Sequence, residues 1–211
     1  IARIGPHIEA LKSGKNRIVD IRESDGIFEA LPDESCFGEN KVSKFVTIMQ
    51  GCDNFCTYCV VPHVRGRERS RAPEAVVGEV RVLAENGIKE ITLLGQNVNS
   101  YGIKEDNICF PDLLEQVSTV EGIKRIRFAT SHPKDLSSEL IHAVRDIKKV
   151  CNHVHLPVQS GSNRILKKMN RGYTREIYLS RIRALRQVCP GIGLSTDIIV
   201  GFPSETLSDF N

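Results

Sequence analysis

The chain has 211 residues, 40% of them hydrophobic, enough to enclose a sizeable core without disulfides. Its 29 basic and 26 acidic side chains leave a formal charge of +3, so overall charge announces no polyanionic partner and any nucleic-acid contact must rest on local clusters. Seven cysteines, odd in number and unevenly placed, exclude a secreted disulfide framework, and no apolar run approaches the ~20 residues of a bilayer span. The opening IARIGPHIEALKSGK lacks the apolar stretch of a signal peptide, so a cytoplasmic, reducing setting is expected. With Ile1 in place of Met and an incipient helix at Asn211, the chain reads as an excerpt cut at both ends.

Residues 1–39 read as the tail of a preceding domain and a linker. HIEALKSGKNRIVDI suggests a helix and a strand, and the acidic, Gly/Pro-bearing ESDGIFEALPDESCFGEN suggests the connection. From residue 40 to 211 two periods alternate. SKFVTIM is a predicted strand; APEAVVGEVRVLAENG is a predicted helix with Val76, Val77, Val80, Leu83 and Ala84 on one face, Pro73 near its start and Gly87 at its stop. The pattern repeats with KEITLLG and FPDLLEQVSTV, then IKRIRFA and SSELIHAVRDI. HVHLPV follows with ILKKMN and TREIYLSRIRALRQV, and IGLSTDIIV closes the series. Five strands alternating with helices predict an α/β fold with a parallel sheet, either open and doubly wound or an arc of a barrel.

The unusual residues follow the strands. The cysteine loop, GQNVNS, ATSHP, PVQSGS and GFPSET each leave a strand end, and in parallel α/β folds these loops share the rim where ligands bind. Polar, Gly-bearing βα loops are common, and any one of them is unremarkable by itself; five on one rim predict a composite site.

In GCDNFCTYCVVP, Cys52, Cys56 and Cys59 form C-x3-C-x2-C, able to converge on one soft metal centre. Zinc would take four ligands, with His63 completing a Cys3His set. An iron-sulfur cubane usually takes four thiolates, so three would leave one iron open for a substrate. On spacing alone both remain open. RGRERSR places Arg65, Arg67, Arg69 and Arg71 at alternate positions, which in an extended segment would point four guanidinium groups one way, toward phosphate or carboxylate. The bland alternative is a solvated loop paired with Glu68. Arg175, Arg183 and Arg186 share a helical face that suits solvent, and His132 is most simply structural. Cys36, Cys109, Cys151 and Cys189 have no partner spacing and are assigned to packing or surface.

The cysteine loop, with Tyr58 before its last cysteine and a strand before it, resembles the cluster loop of the radical S-adenosylmethionine (SAM) superfamily. VTIMQGCDNFCTYCVVPHVRGRERSR, LLGQNVNSYG, RFATSHP, HLPVQSGSNRILKKMNRGYT and STDIIVGFPSET together resemble its methylthiotransferases from Val42 to Asn211. The resemblance implies a partial TIM-like (β/α)6 radical SAM barrel, truncated before its last βα unit. It implies a 4Fe-4S cluster on Cys52, Cys56 and Cys59 whose open iron binds SAM, a 5′-deoxyadenosyl radical, and a second 4Fe-4S cluster whose ligands lie outside this chain. The implied reaction adds a methylthio group to C2 of N6-dimethylallyladenosine beside the anticodon of tRNA, with flavodoxin or ferredoxin as electron donor and a monomeric enzyme. By position, Tyr58 would pack on the SAM adenine, Gln96 and Asn97 would meet its amino acid, and Gln159 and Ser160 its ribose. Gly201 would permit close backbone approach, with Glu205 serving the following helix. Sister methylthiotransferases acting on threonylcarbamoyladenosine or a ribosomal protein are the near alternative. A non-catalytic zinc-binding RNA module is the distant one.

Overall fold

The sheet is set by alternation within short β-branched segments. In a computed structural model describing residues 4–20, 42–105 and 108–211, α1 (Ile4–Lys12) stands first. Residues 17–20, where a strand is expected, carry no regular structure, and the expected linker and Cys36 lie outside the described residues. The chain then runs through β1 (Ser43–Thr47), β2 (Met49–Gln50), α2 (Val61–Arg65), β3 (Arg69–Ser70), α3 (Pro73–Glu85), β4 (Glu90–Leu94), α4 (Phe110–Ser118) and β5 (Arg125–Ala129). It continues through α5 (Ser138–Asp146), β6 (His153–His155), α6 (Asn163–Lys168), α7 (Arg175–Val188), β7 (Gly193–Ser195) and α8 (Leu207–Phe210).

β1, β4 and β5 pair in parallel in that order, with Thr47 opposite Leu94 and Leu94 opposite Ala129. β6 and β7 form a second parallel pair, joined to β5 by the parallel bridge of Ile126 with Val150 and by the Cys151 N–H donating to the Ile126 carbonyl at 2.9 Å. The result is an arc of parallel strands with helices on one face. Among the described residues it does not close into a barrel.

Val46, Ile91, Leu93, Ile126 and Phe128 turn to the helical face and meet Val76, Val77, Val80 and Leu83 of α3, Leu113, Leu114 and Val117 of α4, and Leu140, Ile141 and Val144 of α5. Burying each such aliphatic side chain contributes about 1.5–3 kcal/mol, which makes this layer the dominant stabilising term. Pro73 opens α3 at its first turn, as expected from its missing N–H. No helix among the described residues is long and apolar enough to cross a membrane.

An antiparallel β2–β3 ribbon, pairing Met49 with Ser70 and Gln50 with Arg69, is the part of the fold that periodicity does not predict. It encloses the cysteine loop. Because the arc strands run the same way, the loops after β1/β2, β4, β5, β6 and β7 collect at their carboxyl ends.

Candidate functional site

The cysteine loop is built from both ends. On its near side Gly51 takes φ +74, and a Cβ there would lie 2.1 Å from the Arg67 carbonyl oxygen, so only glycine permits this crossing. The Cys52 N–H then donates to the Gly66 carbonyl at 3.3 Å. On its far side the loop sits on the carboxyl end of α6. Thr57 donates from N to the Met169 carbonyl at 3.1 Å and from Oγ1 to the Lys168 carbonyl at 3.0 Å. The Asn170 amide donates to the carbonyls of Asn54 and Phe55 at 3.2 and 3.1 Å.

The loop forms one wall of a cleft with about 620 Å³ of non-atom space, part of it open solvent. Cys52, Cys56 and Cys59 line it, with Tyr58 and Gln96 of the predicted residues and Gln159 opposite. Asn54, Thr130, Ser131, His132, Pro157 and Arg171 complete the polar lining. Two buried side-chain oxygens there, Ser131 Oγ and Gln159 Oε1, have no hydrogen-bond partner among the described residues. Gln159 also holds the left-handed region at φ 70, its N–H donating to Asp197 and its carbonyl accepting from Ile199, both at 2.9 Å. A strained backbone carrying an unsatisfied buried oxygen is the kind of group a ligand completes.

Electrostatics follow burial. Desolvation pushes the Cys52 thiol up, aided by the nearby Glu68 carboxyl and Cys56, and opposed by hydrogen bonds from Asn54. Burial likewise pushes Tyr58 up against the pull of Arg171. His132, with Arg171, Lys134 and Arg181 near it, is driven by burial and then by these cations down to about 3, and stays neutral.

Several expected residues lie elsewhere. Asn97 is buried, but its Nδ2 donates to Ser100 Oγ at 3.0 Å and Asp135 Oδ2 at 2.7 Å, and its Oδ1 accepts the His132 N–H at 3.0 Å, so it ties two loops together rather than facing the cleft. Ser160 Oγ accepts the Ser162 N–H at 3.2 Å and lies outside the lining. Gly201 is needed for its own φ of +75, with open space where a Cβ would be, and the Glu205 carboxylate accepts its N–H and that of Phe202.

The four-arginine array does not form, because α2 takes Arg65 into a helix. Arg71 is buried on the Glu79 carboxylate at 2.6 Å and the Thr47 carbonyl at 2.7 Å. Arg67 lies over the Phe55 ring at 5.2 Å and beside Asp53, while Arg69 belongs to β3. Arg175, Arg183 and Arg186 are exposed, as expected. Cys109 starts α4 against Asp112, and Cys189 is buried with its thiol toward the Ile141 carbonyl.

A single zinc ion at ~2.3 Å from each sulfur needs its thiolates within roughly 4 Å of one another. Among the described residues no three His, Cys, Asp or Glu side chains are grouped to hold one ion. His63 is exposed and stands edge-on to Phe55 at 6.0 Å, not in the cysteine cleft.

Arg171 and His132 line the cleft and approach Cys56, although sequence reasoning left the first unmarked and read the second as structural. Arg171 sits in a tight turn between Asn170 at φ 56 and Gly172 at φ 70, and the N-x-G pattern around it was the available signal.

The chain is similar to several proteins with known names. The enzyme called tRNA-2-methylthio-N(6)-dimethylallyladenosine synthase from Desulfosudis oleivorans is 55% identical over 210 residues, all of this chain and 45% of that protein. The one from Caldicellulosiruptor saccharolyticus is 58% identical over 93% of this chain and 41% of its own length. The chain thus spans less than half the length of the curated relatives it matches. Among solved structures, the radical S-adenosylmethionine methyltransferase TsrM from Kitasatospora setae superposes with a TM-score of 0.65 at 19% identity, covering 90% of this chain and 37% of that one. The cobalamin-dependent radical enzyme OxsB gives 0.63 at 17% identity over 79% of this chain and 25% of its own. Both show the fold. The sequence model of the radical SAM superfamily matches residues 46–211, well over half of the chain, and this chain belongs to that superfamily.

Proposed function

We propose that residues 40–211 are the radical SAM core of a tRNA methylthiotransferase that adds a methylthio group to C2 of N6-dimethylallyladenosine beside the anticodon. The observation that carries this reading is the 53–58% identity to proteins of that name across a region that contains the whole three-cysteine cleft. Superfamily membership brings SAM and a 4Fe-4S cluster. When bound, they supply a one-electron cleavage that yields a carbon radical able to take hydrogen from an unactivated position. Cys52, Cys56 and Cys59 are the three protein ligands.

The chain's own residues orient and shield. Gln159 Oε1 would accept from, and Ser131 Oγ accept from or donate to, the polar groups of SAM, which accounts for their lack of a partner among the described residues. Tyr58, with its hydroxyl held by Arg171 at 3.1 Å, presents its ring at the mouth of the cleft, and Gln96 faces the same space. Of the basic residues, Arg65 and Arg67 remain exposed on the flank of the cysteine loop and suit RNA phosphate; Arg71 is withdrawn from that role. Residues 1–39 belong to a preceding domain, and the second 4Fe-4S cluster lies in the part of the protein outside this chain. The protein works in the cytoplasm with tRNA and a small reductase such as flavodoxin or ferredoxin.

Anaerobic reconstitution with iron and sulfide, followed by metal and acid-labile sulfide analysis, tests the core. Bound zinc without labile sulfide would overturn it. Full-length protein given dimethylallyladenosine tRNA should yield the methylthio nucleoside by mass spectrometry, whereas product only from threonylcarbamoyladenosine tRNA would assign it to the sister activity.

A further inference from the structure

The three cysteines differ in what approaches their sulfur. Cys52 is served by the neutral amide groups of Asn54. Cys56 faces a full positive charge: Arg171 Nη1 donates to its Sγ at 3.3 Å. Arg171 is only 5% exposed, and every edge of its guanidinium is held. Nε donates to the Tyr173 hydroxyl at 3.1 Å, Nη2 to the Pro157 carbonyl at 3.0 Å, and Nη1 also to the Tyr58 hydroxyl at 3.1 Å. The Tyr173 hydroxyl in turn donates to the Val158 carbonyl at 2.8 Å, so the frame behind the cation is fixed as well.

A second donor points to the same sulfur. His132 Nδ1 accepts the Lys134 N–H at 3.2 Å, which leaves the ring proton on Nε2, and Nε2 stands 4.0 Å from Cys56 Sγ. A buried guanidinium is desolvated at considerable cost, and here its arrangement serves no carboxylate among the described residues. Hydrogen bonds and positive charge at a ligating sulfur draw electron density from it and raise the potential of the metal centre it holds.

We propose that Arg171, seconded by His132, is a positioning residue for the cluster: it fixes the Cys56 sulfur and raises the reduction potential of the cluster bound through it. This rests on Cys56 being a cluster ligand.

The test is a redox titration of the reconstituted full-length protein, following the electron paramagnetic resonance signal that SAM perturbs, with iron and sulfide counted for each sample. In Arg171→Gln the ratio of reduced to oxidised cluster at a fixed potential should fall at least tenfold, a shift of about 59 mV for a one-electron couple. Arg171→Lys should recover most of it. His132→Phe, which keeps a planar ring and removes the donor, should shift the same way by less. An unchanged potential in Arg171→Gln and His132→Phe, each with a full complement of iron and sulfide, overturns the inference. Should Arg171→Gln fail to load, His132→Phe decides: a shift to more negative potential supports the inference, and none overturns it. Unsubstituted protein that takes up no iron and sulfide would instead remove the ligand reading, and this inference with it.

Discussion

Gln159 keeps a left-handed backbone that a non-glycine residue adopts at a cost of roughly 1–2 kcal/mol, and ends in a buried oxygen that no group among the described residues satisfies. Gln159→Ala should therefore weaken SAM binding by about tenfold, the worth of one good hydrogen bond, while iron content holds. Equilibrium dialysis on the reconstituted protein measures it, and unchanged affinity would return Gln159 to a structural role. Gly51 gives a sharper outcome: Gly51→Ala must push Arg67 back, so the cysteine loop should lose its crossing and iron loading should collapse while the helical content seen by circular dichroism persists.

Glu68 brings pH into the same region. Burial, with Asp135 and Glu105 nearby, raises its carboxyl to about 7 against the hydrogen bond from Ser100. The folded state thus prefers the protonated form. Its contribution is fully present below the ordinary carboxyl pKa of about 4.5 and is lost as pH rises through about 7. Urea unfolding of the apoprotein should show Glu68→Gln gaining on the parent by roughly 1–3 kcal/mol between pH 5 and 8, after allowing for solvent screening. A constant difference across that range would refute the assignment.

At the scale of elements, the cysteine loop and the end of α6 act as one unit. Asn170 sits at φ 56, so Asn170→Gly suits the backbone and deletes only the amide that clamps Asn54 and Phe55. Hydrogen exchange should accelerate across residues 52–59, and stability should fall by about 1–2 kcal/mol; unaltered exchange would show the clamp to be idle. This unit also marks the limit of what the sequence discloses. The α3 stripe and the strand alternation are local patterns with strong periods, and they appear where expected. The β2–β3 ribbon has two residues per strand, too few to carry a period. Alternation in RGRERSR suggested a common direction, but a helix end and a buried ion pair to Glu79 divide the four arginines. Gln96 and Asn97 look equivalent in sequence; only the loop after β5 reveals that Asn97 is consumed by His132 and Asp135. The N-x-G pattern around Arg171 signals a turn, but its contacts to Cys56 and Tyr58 lie more than a hundred positions away, and no local pattern encodes them.

Over the whole molecule, the arc leaves one end uncovered. Among the described residues no strand pairs with the outer edge of β7, and Ile198, Val200, Leu207 and Phe210 are exposed near it. Open edges beside apolar surface favour association. Residues 1–211 should show concentration-dependent oligomers by light scattering, reduced by Ile198→Lys with Val200→Glu; oligomers unchanged by the pair would show that this edge is not the contact. The clamp on the cysteine loop carries a further consequence, one of timing. Its partners, from Lys168 to Arg171, lie 111 to 116 positions downstream of the loop residues they hold. At ribosomal speeds of about 5–20 residues per second, the three thiols emerge and wait on the order of ten seconds before their frame exists. During each round of synthesis they are unprotected, so scarce iron or an oxidant pulse should damage nascent chains far more than finished ones.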